Sequence, residues 1–186
     1  MNNQQKYEYA VKLLDNKKYS ESYKIMKEFE NTNNAEVLLK LTVINYQLKD
    51  YEKALHYINI CFKLCSLDKR IYYNKALILL KLNREKEAIN LLYFIVKIID
   101  SNYIQAYTLL LGKGDTDEDN EIVCQRLIEL GTKNSYVYIQ YGFYLIQSNF
   151  KKAMKMIQTG LIKILLQDQW KLVVERCEQR DIINEY

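Results

Sequence analysis

An all-α fold built from repeated helical hairpins is what this sequence predicts, and three observations carry the prediction. None of the 186 residues is proline and only five are glycine, so little in the chain forces a helix to break. Hydrophobic residues make up 49% and charged residues 27%, the proportions of an ordinary globular chain and not of a disordered one. A short pattern also recurs at a near-constant spacing, and a fixed period of this kind marks a stacked-repeat architecture. The length suits one domain with a sizeable core.

Charge and cysteine usage narrow the class. Lys and Arg number 27 against 23 Asp and Glu, a net charge of +4. That surplus is too small for the dense basic surface that phosphate backbones require, so nucleic acid is not expected as a partner. The N-terminal MNNQQKYEYA has neither the apolar core of a secretory signal nor an arginine-rich amphipathic pattern, and no leader is expected. The longest charge-free run, Asn134 to Phe150, is too polar and too short to span a bilayer, so no membrane insertion is expected. Cys61, Cys65, Cys124 and Cys177 then read as free, mostly buried thiols in a reducing, cytoplasmic compartment. His56 is the single histidine, which leaves a metal site short of ligands.

The repeat is legible residue by residue. Leu48-Lys49-Asp50-Tyr51-Glu52-Lys53-Ala54-Leu55 lies without a gap over Leu82-Asn83-Arg84-Glu85-Lys86-Glu87-Ala88-Ile89, an offset of 34 residues. Upstream the pattern returns as Tyr19-Ser20-Glu21-Ser22, with Ser22 in the small-residue place of Ala54; downstream it returns as Phe150-Lys151-Lys152-Ala153. Small residues there let two helices of a hairpin approach closely, while large residues three and four apart form the apolar stripe. One hairpin cannot bury both its faces, so several must stack.

On these residues the chain resembles the tetratricopeptide repeat proteins. The resemblance implies a right-handed superhelical solenoid of helix-turn-helix hairpins filling a single domain, 1–186. Its five repeats cover 4–34, 35–68, 69–102, 103–134 and 135–166, followed by a capping helix over 167–184. The family's small and large places hold Ala10, Leu13, Ser22, Met26 and Phe29 in the first repeat, and Leu38, Thr42, Asn45, Ala54, Ile58 and Cys61 in the second. In the third they hold Tyr72, Ala76, Leu79, Ala88 and Leu92. The fourth departs most: a first helix from Tyr103 to Leu111 runs into Gly112-Lys113-Gly114 and an acidic stretch from Asp115, with a second helix expected from Glu121 to Leu130. The fifth matches through Tyr141, Gly142, Tyr144, Ala153, Ile157 and Gly160, with a shortened turn. In the capping segment Trp170, Val173, Val174 and Cys177 share one helical face. Where the family places a proline to stop the second helix, this chain has Asn34, Ser66 and Asp100, leaving the boundaries to side-chain turn chemistry.

No residue set points to catalysis. Asp115, Asp117 and Asp119 alternate like the start of a calcium loop, but Asn120 stands where the loop needs glycine and Arg126 where it needs a bidentate glutamate. Gly112-Lys113-Gly114 lacks the spacing and the Lys-Ser/Thr pair of a phosphate loop. His56 has no nucleophile or carboxylate at a recognisable spacing. No enzyme, cofactor or small-molecule substrate is therefore expected.

What remains is a surface. The resemblance implies that first helices line a concave groove, which here would display Leu39, Lys40, Val43 and Tyr46, then Arg70, Tyr73, Asn74, Leu77 and Leu80. Ile104, Tyr107 and Leu111 follow from the fourth repeat, and Tyr136, Ile139, Gln140 and Phe143 from the fifth. Such a groove is apolar and tyrosine-rich, which suits protein partners. The expectation is a non-catalytic scaffold or adaptor that holds a partner helix or peptide within a larger complex. Two alternatives stand beside it. Related hairpin repeats bind RNA one base per repeat, but the basic groove is missing. The family's co-chaperone branch clamps an acidic C-terminus with Lys, Asn and Arg. Laid over the first three repeats that clamp falls on Tyr7, Val11, Lys40, Arg70 and Asn74, where Arg70 alone is of the expected type. Laid one repeat later it falls on Leu39, Val43, Asn74, Ile104 and Thr108, where only Asn74 matches.

Overall fold

The computed structural model describes the backbone of residues 1–65 and 67–183, and side chains as far as residue 169. All regular structure among these residues is helical, in ten α-helices taken in five consecutive pairs, of which the first, second, third and fifth pack one helix on the other. In chain order they are α1 (Asn3–Asp15) with α2 (Tyr19–Met26), α3 (Ala35–Gln47) with α4 (Tyr51–Leu64), and α5 (Lys69–Lys81) with α6 (Glu85–Phe94). Then come α7 (Ile104–Leu110) with α8 (Asp117–Glu129), and α9 (Ser135–Leu145) with α10 (Phe150–Ile183). A 3-10 turn over Lys27–Thr32 prolongs α2, and a π-helical turn over Ile95–Ile99 prolongs α6. The chain divides into two compact units, Met1–Ala106 and Tyr107–Tyr186, with the division inside α7.

Side-chain caps set the helix starts. Asn2, Asn34, Asp50, Asp68, Thr116 and Asn134 each precede a helix and accept a backbone N–H of its first turn, which is worth about 1 kcal/mol apiece. Asn34 thus starts a helix at one of the places where the resembled family has proline. Asp100, at another, has extended backbone, accepts the Asn102 N–H at 2.9 Å and pairs with Lys69 at 2.6 Å. Ser66, the third, lies outside the described residues. The turns inside the first three hairpins each turn the chain through a left-handed residue: Lys17 (φ 60), Lys49 (φ 64) and Asn83 (φ 59).

The first unit's core follows the repeat. Ala10 and Ser22, Thr42 and Ala54, Ala76 and Ala88 are all buried to within 1%. Serine is tolerated at this place because its hydroxyl donates to the Ala10 carbonyl at 2.8 Å. Thr42 and Asn45 likewise donate to the Leu38 and Leu41 carbonyls one turn earlier. Met26, Leu38, Leu41, Ile44, Ile58, Ile71, Ile78, Leu79, Leu92 and Ile95 fill the space around them.

In the second unit, glycine brings α9 and α10 together. A Cβ on Gly142 would stand 2.8 Å from the Ala153 carbonyl oxygen, and one on Gly160 would stand 3.0 Å from that of Ser135. The fourth hairpin is built differently from the expectation. Its second helix starts at Asp117, not Glu121, because Thr116 caps it: the Asp119 N–H reaches the Thr116 hydroxyl at 3.1 Å, and that hydroxyl donates to the Asp119 carboxylate at 2.8 Å. Asp117, Glu118 and Asp119 then occupy the first turn, where the helix dipole favours negative charge. The expected boundary between the fifth hairpin and a capping helix is also absent. Residues 164–169, Ile-Leu-Leu-Gln-Asp-Gln, contain no breaker, and α10 runs through them unbroken. The face expected from Trp170, Val173, Val174 and Cys177 lies outside the described side chains.

Candidate protein-binding groove

In the first unit, Glu36, Leu39, Lys40 and Val43 sit on α3 at helical spacings of three, one and three, and so share one face. Arg70, Tyr73 and Asn74 do the same on α5. Together with Leu14 at the end of α1 and Tyr103 just before α7, these residues line a cavity of about 330 Å³. Six residues expected in the groove are therefore brought together here: Leu39, Lys40, Val43, Arg70, Tyr73 and Asn74. Leu39 is 8% exposed and forms the floor. The Tyr73 and Tyr103 rings meet edge to face at 5.5 Å, and burial raises both phenol pKa values. The Lys69 ammonium stands 5.1 Å over the Tyr103 ring while bonded to Asp100. A second cavity of about 300 Å³, lined by Asn3, Gln4, Tyr7, Phe29, Thr32, Asn34 and Val37, shares Glu36 with the first.

The charges at the rim are already engaged. Arg70 donates to Asp68 at 2.7 Å and, at 3.4 Å, to Glu36; its hydrogen bonds hold the Asp68 carboxyl below its usual range. Glu36 also faces Lys40 at 3.5 Å. The Asn74 amide donates to the Arg70 carbonyl at 2.8 Å. The two residues of clamp type thus have partners within the chain.

Other expected groove residues fall elsewhere. Tyr46 is half-buried with its ring edge-on to Tyr51 at 5.5 Å, and Leu77 is half-buried; neither lines the cavity. In the second unit Tyr107 is buried and Leu111 half-buried. Ile139 packs into the hairpin, where a Cβ on Gly160 would meet it at 2.6 Å. Tyr136 and Phe143 are exposed at 65% and 60%. Leu14, Glu36 and Tyr103 are additions that the sequence does not announce. Leu14 and Glu36 adjoin the apolar stripes of their helices and not the repeat pattern, and Tyr103 precedes its helix, so no motif marks any of the three.

The remaining reactive groups are placed as structure. Burial pushes the Cys61 and Cys124 thiols up to about 11, and Cys61 donates weakly to the Ala35 carbonyl at 3.6 Å. His56 is exposed, its ring 5.5 Å from that of Tyr57. No described helix is long and apolar enough to cross a membrane.

Consecutive antiparallel helices with small residues at the crossings define the class: this chain has the tetratricopeptide-repeat fold. Solved structures of that kind superpose on it. MamA 41-end from Desulfovibrio magneticus RS-1 matches with a TM-score of 0.74 at 20% identity, over 90% of this chain and 98% of that one. YrrB, described as a tetratricopeptide-repeat protein with an unusual peptide-binding site, matches with a TM-score of 0.67 at 14% identity, over 85% of this chain and 84% of its own. The C-terminal part of a repeat protein from Cytophaga hutchinsonii gives 0.66 at 19% identity, over 84% of this chain and 64% of that one. No family model matches the sequence, and no curated protein does.

Proposed function

We propose that this chain is a non-catalytic interaction scaffold that holds a partner protein's helix or extended peptide in the groove of its first unit. The observation that carries the reading is the cavity between α3 and α5, which gathers Leu39, Val43 and Tyr73 beneath a rim of Glu36, Lys40 and Arg70. Its volume suits one or two bulky apolar side chains, and the surrounding charges, paired with one another, present no net field that would select a charged ligand. An amphipathic helix or an extended segment with aliphatic or aromatic anchors meets those conditions. The peptide-binding description of YrrB agrees with this use of the fold.

Tyr73→Glu and Leu77→Glu test the reading in pull-downs from cells, with circular dichroism to verify the fold. Tyr73→Glu, at the cavity, is expected to weaken partner capture by more than about tenfold, equivalent to 1.4 kcal/mol. Leu77→Glu, outside it, is expected to do less. A folded Tyr73→Glu variant that keeps every specific partner would show the groove to be the wrong site.

A further inference from the structure

Charge is arranged differently in the last hairpin than in the first unit. Met1–Ala106 mixes 17 basic with 12 acidic residues, and Lys6, Lys40, Lys53 and Lys69 each meet a carboxylate at 2.6–3.5 Å. Between Glu129 and Asp168 the chain carries five lysines and neither Asp nor Glu. All five, Lys133, Lys151, Lys152, Lys155 and Lys163, are exposed. Two of them turn to tyrosines in place of acids: Lys152 donates to the Tyr141 hydroxyl at 2.8 Å, and the Lys163 ammonium stands 4.8 Å over the Tyr138 ring. Glu121 of α8 acts on Lys152 at longer range, and no carboxylate among the described residues forms an ion pair with any of the five. From Asp168 to Ile183 three basic residues stand against four acidic ones, so the acid-free stretch ends there.

Four of these lysines lie on α10 among exposed apolar side chains. Phe150, Met154, Leu161, Ile162, Leu165 and Leu166 are all 48–65% exposed. At 3.6 residues per turn the six spread over an arc of roughly 160°. Lys151 and Lys155 fall inside that arc, Lys152 and Lys163 just beyond its edge, while Ala153 and Gly160 face the other way, toward α9. The face is wider than the seam of a single partner helix, which takes two positions in seven, and lysine is interspersed through it where a protein core would exclude charge.

Charge and breadth together name the occupant. Lysines without internal counter-charges are complementary to an anionic surface, and their attraction to it is not spent on neighbouring acids. A lipid surface also covers a whole side of a helix: apolar side chains enter the boundary between headgroups and acyl chains, and lysine stems lie along it while their ammonium groups reach back to the headgroups. An acidic protein segment would meet the charge and leave much of the width bare. We propose that α10 docks the chain on the surface of an anionic lipid bilayer, lying in the interface without crossing it.

Co-sedimentation of the full chain with sucrose-loaded vesicles tests this. Partitioning onto phosphatidylcholine vesicles containing about 30% phosphatidylserine should exceed that onto phosphatidylcholine alone by more than about tenfold, and should fall as salt is added. The pair Lys151→Glu and Lys155→Glu, and separately the pair Leu161→Gln and Leu165→Gln, should each lower the partition by more than about tenfold with helical content unchanged. Lys12→Glu with Lys24→Glu makes the same change of charge on exposed lysines of the first unit and should leave it within about twofold. Hydrogen exchange of the unaltered chain should show added protection over residues 150–166 on the anionic vesicles. A chain that ignores anionic vesicles, which would leave the face to a protein partner, overturns the proposal. So does equal binding to both kinds of vesicle, a first-unit pair that matters as much as the α10 pair, or binding with no added protection over 150–166.

Discussion

The third and fourth repeats fill corresponding places with different residues. In the third, α5 runs 13 residues, with Tyr72 large and Ala76 small one turn later, and Ala88 of α6 has no exposed surface. In the fourth, α7 runs 7 residues and the order is reversed, with Ala106 small and Leu110 large, both fully buried. The left-handed turn residue is Asn83 in the one and Gly112 (φ 70) in the other. The place of Ala88, fourth in its helix, is taken by Asn120, fourth in α8 and 7% exposed. The Asn120 amide accepts the Gly114 N–H at 2.9 Å and donates to the Thr116 carbonyl at 3.0 Å and the Gly114 carbonyl at 3.3 Å. A polar residue can therefore stand in a small-residue place when its amide both accepts and donates hydrogen bonds, and here it also ties the loop to the helix that follows.

Substitutions on both sides would break or sharpen this contrast. Ala88→Leu overfills a site with no free volume and is expected to cost about 3 kcal/mol, read as a lower urea midpoint. Asn120→Ala restores the residue type of the third hairpin yet should cost about 2 kcal/mol, because the Gly114 N–H and carbonyl lose the side-chain amide and the Thr116 carbonyl keeps only the backbone N–H of residue 120. A neutral result would mean that the fourth hairpin relies on size alone. The smallest effects lie in the turns. Gly112→Ala, with open space around the new methyl group but an unfavourable φ, should cost about 1 kcal/mol. Lys49→Gly, relieving the same conformation in the second hairpin, should stabilise by about 0.5 kcal/mol. The thermal midpoints of the two variants should move in opposite directions.

Most of the architecture is readable from the sequence because its determinants are local. Ala54 and Ala88 are small at matching places, and their helices start within three residues of the aligned pattern. The fourth repeat escapes at its second helix because the repeat pattern matches size, and asparagine is not small. A different signal is present: Thr116 followed three residues later by Asp119 is the spacing of a capping pair, which starts the helix at Asp117 and puts Asn120 in register 32 residues after Ala88 and 33 before Ala153. The missing boundary near residue 166 reflects the same logic, since helix continuation needs only the absence of a stop. The groove is partly legible. Helical spacing puts Arg70, Tyr73 and Asn74 on one face, whereas Tyr103 joins them through the path of the chain, which periodicity does not encode.

The order in which helices touch has a kinetic meaning. In the first unit α1 packs on α2, α2 on α3, α3 on α4, α4 on α5 and α5 on α6, so nearly every contact joins segments adjacent along the chain. Closing such contacts requires only short loops, and folding is correspondingly fast for the length. It also means that no distant strand or helix locks a hairpin in place. Each opens at a free energy set by itself and its neighbours, and hydrogen exchange should register the unit as a graded series of protections instead of a single cooperative value.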